Sequence, residues 1–312
     1  MSAGTRACTI AAHAKINLLL EVLGRRADGY HELRSVVVPV ALADRLEVAF
    51  DGGRDVTLEV TADPGIDLSR LGLAADNLAV RAAQRLRALR PGLPAGIRLA
   101  IRKRIPVGGG LGGGSADAAA VLLALDRLAG LRLGTGALMA LGAELGSDVP
   151  ALLHGGAVLM EGRGERVTPL LPAGAGTAPG FHVVIANPGI CVPTCHAYQM
   201  YAGGLTPDPN TYNTIHSSVR SGDVHRAAAA LHNGLERGVF AAYPETARLA
   251  ARLKDAGGLG VLLCGSGASV FALVRDEAHG EAVRRQLGAG VWSVLTTTLP
   301  DGVMAAHGPL EP

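Results

Sequence analysis

The sequence predicts an α+β fold in two domains, with helices laid on one face of antiparallel sheet. At 312 residues, 48% hydrophobic and 18% charged, the chain carries enough apolar material for a full core divided between two domains. From Ile97 to Ile105, the apolar Ile97, Leu99, Ile101 and Ile105 alternate with Arg98, Arg102 and Arg104, which suits a half-exposed antiparallel strand better than a buried parallel one. The stretch PAGAGTAPG, Pro172 to Gly180, reads as a linker and sets the expected domains at 1–172 and 173–312.

In chain order, a short disordered-looking start leads into a strand from Ile10 to Val22, with Lys15 and Asn17 on one face and Ile16 and Leu18 on the other. Asp28 to His31 form a turn that sets Tyr30 beside His31. Strands are expected at Val36 to Val40, Leu46 to Phe50 and Val56 to Val60. An amphipathic helix runs from Asn77 to Arg90, with Leu78, Ala82, Leu86 and Leu89 on its apolar side. After the glycine loop described below, a helix ends near Gly130 and a second covers Ala137 to Leu145. Ala157 to Met160 and Glu165 to Leu170 pair as a hairpin about Gly162 to Gly164. The second half offers strands at His182 to Ala186, Val261 to Cys264, Val270 to Val274 and Val291 to Leu299. Its helices are expected at Asp223 to Arg237, Glu245 to Ala256 and Glu277 to Leu287, after an irregular segment around Pro207 to Tyr212.

The chain is organised around KRIPVGGGLGGGSADAAAVLLAL, Lys103 to Leu125, a glycine block that opens directly into an Ala/Leu-rich helix. Glycine lets backbone N–H groups approach a ligand, and the helix start adds unpaired N–H groups and the positive end of its dipole, so the stretch predicts a phosphate cradle. Asp117 is expected in the first helical turn, where its charge suits the dipole. Gly108, Gly110 and Gly113 satisfy G-x-G-x-x-G, but a block this rich in glycine matches almost automatically, and the strand before it is not of the Rossmann kind. A Walker A loop needs Lys after its last glycine, whereas Gly114 is followed by Ser115 and Ala116. Asp148, two residues before Pro150, is either the N-cap of a short helix or a loop carboxylate able to accept a proton from a substrate hydroxyl. The turn GSGAS, Gly265 to Ser269, is either a hairpin bulge or a second anion-binding nest.

A formal net charge of +2, scattered basic residues and 3% aromatics argue against a nucleic-acid partner. No window is long and apolar enough for a membrane span, and the N-terminus lacks a signal-peptide core, so a cytoplasmic protein with a small-molecule substrate is expected. Cys8, Cys191, Cys195 and Cys264 are expected as reduced thiols; Cys191, Cys195 and His196 lack the second ligand pair of a zinc site, and no metal ligand is assigned.

Three separated motifs, AKINLLLEVLGRRADGYHEL, PVGGGLGGGSADAA and LGSDVP, together resemble the GHMP kinases, the superfamily of galactokinase and of homoserine, mevalonate and phosphomevalonate kinases, and GSGAS matches its third glycine motif. The similarity runs from about Ala14 to Thr298, and DGYHEL with PGICVPT points to the branch acting on 4-diphosphocytidyl-2-C-methyl-D-erythritol, in the non-mevalonate route to isoprenoid precursors. The resemblance implies an N-terminal domain like domain 2 of ribosomal protein S5, a C-terminal ferredoxin-like α/β sandwich, and transfer of phosphate from ATP, with Mg2+, to the 2-hydroxyl of that alcohol. It also leaves, as the alternative, another small-molecule kinase of the superfamily, and implies a monomer or weak homodimer. By motif position Asp148 is the general base and Lys15 its partner. Pro106, Val107, Gly108, Gly109, Gly110, Leu111, Gly112, Gly113, Gly114, Ser115 and Ala116 would hold ATP phosphates, and Asn77 and Leu78 would lie near adenine. Asn17, Tyr30, His31, Thr194, Tyr198, Gly265, Ser266 and Gly267 would hold the substrate, its cytosine stacked between Tyr30 and Tyr198. Ala116 stands where a second serine is common, Gly234 where the family places Asp, and Tyr198 where phenylalanine is frequent.

Overall fold

A computed structural model of the chain describes residues 6–172, 178–201, 203 and 208–302. The expected disordered start and most of the expected linker lie outside the described residues. Two long strands, β1 (Ala7–Arg25) and β2 (His31–Phe50), form the spine of the molecule. The two separate strands expected at Val36 to Val40 and Leu46 to Phe50 are one strand, because the intervening chain stays extended: Ala43 to Arg45 pair with β1, and Arg45 also pairs with Arg102 of the next strand but one. β3 (Val56–Ala62) precedes α1 (Leu78–Leu89), whose N-cap Asn77 accepts a hydrogen bond from the Ala79 N–H at 2.9 Å. Leu89, expected on the apolar side, is 48% exposed at the C-terminal end of the helix.

β4 (Ile97–Lys103) runs antiparallel to β2 and parallel to β3. The alternation of Ile97, Leu99 and Ile101 with arginines thus marks a one-sided sheet, as expected, but with mixed strand directions. The glycine block then opens α2 (Gly113–Leu128), followed by α3 (Gly134–Leu145), α4 (Val149–His154), β5 (Val158–Gly162) and β6 (Arg166–Pro169). The seven-stranded sheet has the order β3-β4-β2-β1 and then a short strand from the second half of the chain, with β5 and β6 attached to the N-terminal part of β2.

The second half contains β7 (His182–Asn187), α5 (Thr194–Gln199), α6 (Thr211–Ser221), α7 (Val224–Ala230), β8 (His232–Asn233), α8 (Glu236–Ala242), α9 (Pro244–Asp255), β9 (Gly260–Leu263), β10 (Val270–Val274), α10 (Glu277–Leu287) and β11 (Trp292–Thr297). The single helix expected at Asp223 to Arg237 is interrupted: β8 leaves it to pair in parallel with Leu19 and Leu20 of β1. The helices α5 and α6 were not anticipated, and α6 begins inside the segment read as irregular.

The order β11-β7-β10-β9 makes a wholly antiparallel sheet. One face of it, with Val183, Ile185, Phe271 and Leu273, packs onto Ile16, Leu18, Val36 and Val38 of the larger sheet and onto α6 and α7. The other face, with Val184, Ala186, Val270 and Ala272, packs under α9 and α10. β10 is therefore apolar throughout, and β7 is apolar from Val183 to Ala186 between a terminal histidine and asparagine, as strands buried on both faces must be. A separate core lies where α1 to α4 cover the β3-β4 end of the larger sheet.

Candidate functional site

The glycine block bends Pro106 to Gly112 into a loop that delivers the start of α2 to the floor of a cleft of 1180 Å³. Gly112 caps α2 in the left-handed region at φ 72°, and the first helical bond runs from the Ala116 N–H to the Gly112 carbonyl at 2.8 Å. The N–H groups of Gly113, Gly114 and Ser115 consequently have no partner within the helix and carry its positive pole. Pro106 to Ser115 line the cleft, as do Asn77 and Leu78. Ala116 does not: it is 2% exposed and faces the core under α2.

Lys15 and Asp148 meet at this helix tip. β1 has register shifts between His13 and Lys15 and between Asn17 and Leu19, so irregular pairing brackets the two site residues Lys15 and Asn17. The Lys15 N–H donates to the Leu111 carbonyl at 3.0 Å, stitching the strand to the loop. Its Nζ donates to Asn17 Oδ1 at 2.8 Å and to the Gly110 carbonyl at 3.2 Å, and stands 3.5 Å from Asp148 Oδ2. Three acceptors for three ammonium donors make a buried lysine tolerable. Asp148 occupies the N-cap position of α4, yet its side chain makes no capping bond; the carboxylate is turned to Lys15 instead. Asn17 in turn donates to Ser35 Oγ at 2.8 Å, and Ser35 to the Leu19 carbonyl at 2.6 Å, a support that the sequence reading did not identify.

The GSGAS turn between β9 and β10 closes over the glycine loop. The Ser269 N–H donates to the Gly109 carbonyl at 3.1 Å, and a Cβ placed on Gly110 (φ 76°) would lie 2.0 Å from the Cys264 carbonyl. Asn233 fixes the turn from below, its Nδ2 donating to the carbonyls of Leu263 and Gly265 at 2.9 and 2.8 Å. Gly265 and Ser266 line the cleft, and Ser266 Oγ lies 3.3 Å from Thr194 Oγ1. Gly267, expected with them, instead faces Leu263 and Val239 in the core beneath. At Gly234 a Cβ would meet only ordinary contacts, 3.5 Å from the Leu20 carbonyl, so nothing in the packing demands glycine there.

The far end of the cleft is aromatic. His31 stacks on Tyr198 with ring centres 5.2 Å apart and meets Tyr201 edge-on at 6.3 Å. Burial, with the charge of Asp148 adding to it, pushes the Tyr198 hydroxyl well above the usual phenol range. Tyr30 is 55% exposed and lies under the guanidinium of Arg163, 5.0 Å from the ring centre. The expected pair of rings is thus present on the wall, but the ring facing Tyr198 is that of His31.

A buried charge cluster lies behind the helix tip. Lys103 Nζ donates to both Asp44 and Asp117, and Asp44 Oδ1 accepts from the backbone N–H groups of Arg104 and Ile105 at 2.5 and 2.9 Å, fixing the bend from β4 into the loop. Asp117 is the fifth residue of α2 rather than a first-turn dipole partner, and its Oδ1 has no partner among the described residues. Burial raises its pKa to about 7; Lys103 opposes the rise and Asp44 adds to it. The signal for this cluster was present only as a lysine at the end of an alternating strand and two unremarkable aspartates. Cys191 and Cys195 are free thiols, and no group of three metal-ligating side chains occurs among the described residues. No helix among them is long and apolar enough to cross a membrane.

Residues 77–156 match the family model described as GHMP kinases N terminal domain, and residues 215–292 match GHMP kinases C terminal. The chain is 41% identical over 268 residues to 4-diphosphocytidyl-2-C-methyl-D-erythritol kinase of Pelotomaculum thermopropionicum, covering 86% of this chain and 89% of that one. It is 43% identical over 282 residues to the Gloeobacter violaceus protein of the same name, covering 88% of each. A crystal structure of 4-(cytidine 5'-diphospho)-2C-methyl-D-erythritol kinase superposes with a TM-score of 0.72 at 34% identity, covering 93% of this chain and 98% of the other. Homoserine kinase from Cytophaga hutchinsonii superposes with a TM-score of 0.70 at 18% identity, which shows a shared fold.

Proposed function

The chain belongs to the GHMP kinases and, within them, to the 4-diphosphocytidyl-2-C-methyl-D-erythritol kinase family, and on that premise we propose that it phosphorylates the 2-hydroxyl of this alcohol with ATP, releasing ADP. The reaction belongs to the non-mevalonate route to isoprenoid precursors. The observation that carries the proposal is the meeting of Lys15 and Asp148, 3.5 Å apart, beside the free N–H groups of α2.

Phosphoryl transfer asks a protein mainly for positioning and for stabilisation of charge. Gly113, Gly114 and Ser115 present N–H groups to the triphosphate, and Lys15 supplies the cation that the loop itself lacks. Asp148, 32% exposed at its side chain, accepts the proton of the attacking hydroxyl, while Lys15 holds the carboxylate in place and offsets charge developing on the transferred group. Asn17 sets the lysine, and Ser35 sets Asn17. The aromatic wall of Tyr30, His31 and Tyr198 takes the cytosine, with Thr194, Gly265 and Ser266 along the way.

Mg2+ suits this donor set as a companion of the nucleotide rather than a resident of the protein. Without three clustered ligands among the described residues, its coordination would come chiefly from phosphate oxygens and water, with the Ser115 hydroxyl at the helix tip as the protein contribution. The chemistry such an ion would supply is neutralisation of the triphosphate's negative charge. We further take the chain to divide at 172/173 into an N-terminal ATP-binding domain and a C-terminal domain, and to act in the cytoplasm as a monomer or weak homodimer.

A coupled ADP assay with the purified chain tests the proposal. ADP release is expected with the diphosphocytidyl alcohol and not with homoserine or mevalonate; the reverse pattern assigns another acceptor. Asp148→Asn is expected to retain ATP binding and to lose turnover by about a thousand-fold, within the range for a general base. Unchanged turnover removes Asp148 from the chemistry.

A further inference from the structure

Five cations line the cleft: Lys15, Arg25, Arg70, Lys103 and Arg163. Three of them are committed. Lys15 faces Asp148, Lys103 is held by Asp44 and Asp117, and Arg70 pairs with Asp67 while its Nη2 donates to the Gly189 carbonyl at 2.8 Å. Among the described residues the guanidinium groups of Arg25 and Arg163 make no hydrogen bond and no ion pair. Asp28 and Glu165 lie within electrostatic reach of Arg163 but beyond ion-pair distance.

The position of Arg163 is defined on both sides. It sits in the β5–β6 turn, its guanidinium 5.0 Å from the centre of the Tyr30 ring. The next residue, Gly164, lies so close to Ser147 that a Cβ there would be 2.9 Å from the Ser147 carbonyl oxygen. Ser147 directly precedes Asp148. The turn that carries Arg163 thus packs beside the segment leading into Asp148 while its guanidinium lies over the aromatic wall, along the line from a hydroxyl at Asp148 to a base at Tyr30.

We propose that Arg163, with Arg25 at the rim, binds the diphosphate linking the acceptor alcohol to its nucleoside, and thereby restricts the enzyme to acceptors that carry an anionic bridge between hydroxyl and base. A planar guanidinium held over the Tyr30 ring, 5.0 Å from its centre, is placed to give paired N–H donors to phosphate oxygens. A neutral alcohol leaves that cation with nothing to bind. The inference rests on the kinase reading above and refines it by naming the group that selects the substrate class.

The test titrates the intact chain with CDP, CMP and cytidine by calorimetry and follows ADP formation with the diphosphocytidyl alcohol. Arg163→Ala is expected to lower the ratio of CDP to cytidine affinity by about ten-fold, the scale of one hydrogen-bonded charge contact. KM for the alcohol should rise by about the same factor beyond any fall in kcat. Arg163→Lys should keep most of the CDP preference, and Arg163→Gln gives the same reading as alanine should the alanine variant not fold. An equal loss of CDP and cytidine affinity would show that Arg163 only props Tyr30, and an unchanged ratio would show that it has no contact with phosphate; either overturns the proposal. A wild-type chain that forms no ADP from the alcohol overturns the kinase reading instead, and the nucleotide titrations still decide the role of Arg163.

Discussion

Lys103 shows how much depends on a single buried ammonium. It is 3% exposed, as is Asp117, while Asp44 is fully buried, so removing the cation leaves two carboxylates facing each other in the interior. Lys103→Met is expected to destabilise the chain by about 3–5 kcal/mol, measured by urea denaturation. Asp117 adds a pH dependence of definite sign. Its folded pKa of about 7 lies above the unfolded value of 3.8, so its contribution to stability is complete below pH 3.8 and is lost as pH rises through 7. Asp117→Asn should therefore gain stability relative to the parent between pH 5 and pH 8; a constant difference across that range would refute the assignment. Lys15 and Asp148 were legible as partners through the resemblance of their motifs, and they do meet, 3.5 Å apart; composition and spacing alone left Asp148 open between a helix cap and a base. The Lys103 cluster was not legible at all, because an interior ion cluster leaves no periodic trace.

Among the elements, those whose patterns repeat were read well. α1, α10, β10 and the β5–β6 hairpin carry their own periodicity or turn chemistry, and they appear within a residue or two of expectation. The failures lie where tertiary contacts override local preference: β2 continues through Ala41–Arg45 because two neighbours pair with it, and the helix expected across Ala230–Arg237 yields to β8 because β1 offers a free edge. The glycine loop was recognised from composition, whereas its fit against Cys264 was not. Gly110→Ala combines a left-handed φ with a Cβ 2.0 Å from that carbonyl and should cost at least about 1–3 kcal/mol in thermal or chemical denaturation. Gly114→Ala, where the new methyl would lie 3.8 Å from Leu78 Cδ1, serves as the control and should leave stability nearly unchanged.

At the level of the molecule, the mixed order of strands and helices did indicate two sheets with helical cover, but it gave no hint that the sheets share a core. Ile16, Leu18 and Val36 pack in one cluster with Val183, Ile185 and Phe271, and β8 and Thr298 reach back to β1 and Val40. The proposed halves 1–172 and 173–312 should accordingly unfold together. The single tryptophan, Trp292, reports on the smaller sheet, and its fluorescence transition in urea should coincide with the far-ultraviolet dichroism of the whole chain. Separated midpoints would show two independent units.

The contact between Gly110 and Cys264 reaches further than stability. The backbones of two stretches far apart in the chain are moulded to each other with no room for a methyl group on Gly110, so that glycine cannot be replaced without the later segment giving way. The nucleotide's resting place is thus a seam, complete only once the last third of the polypeptide has arrived, and a truncated or stalled chain cannot hold it.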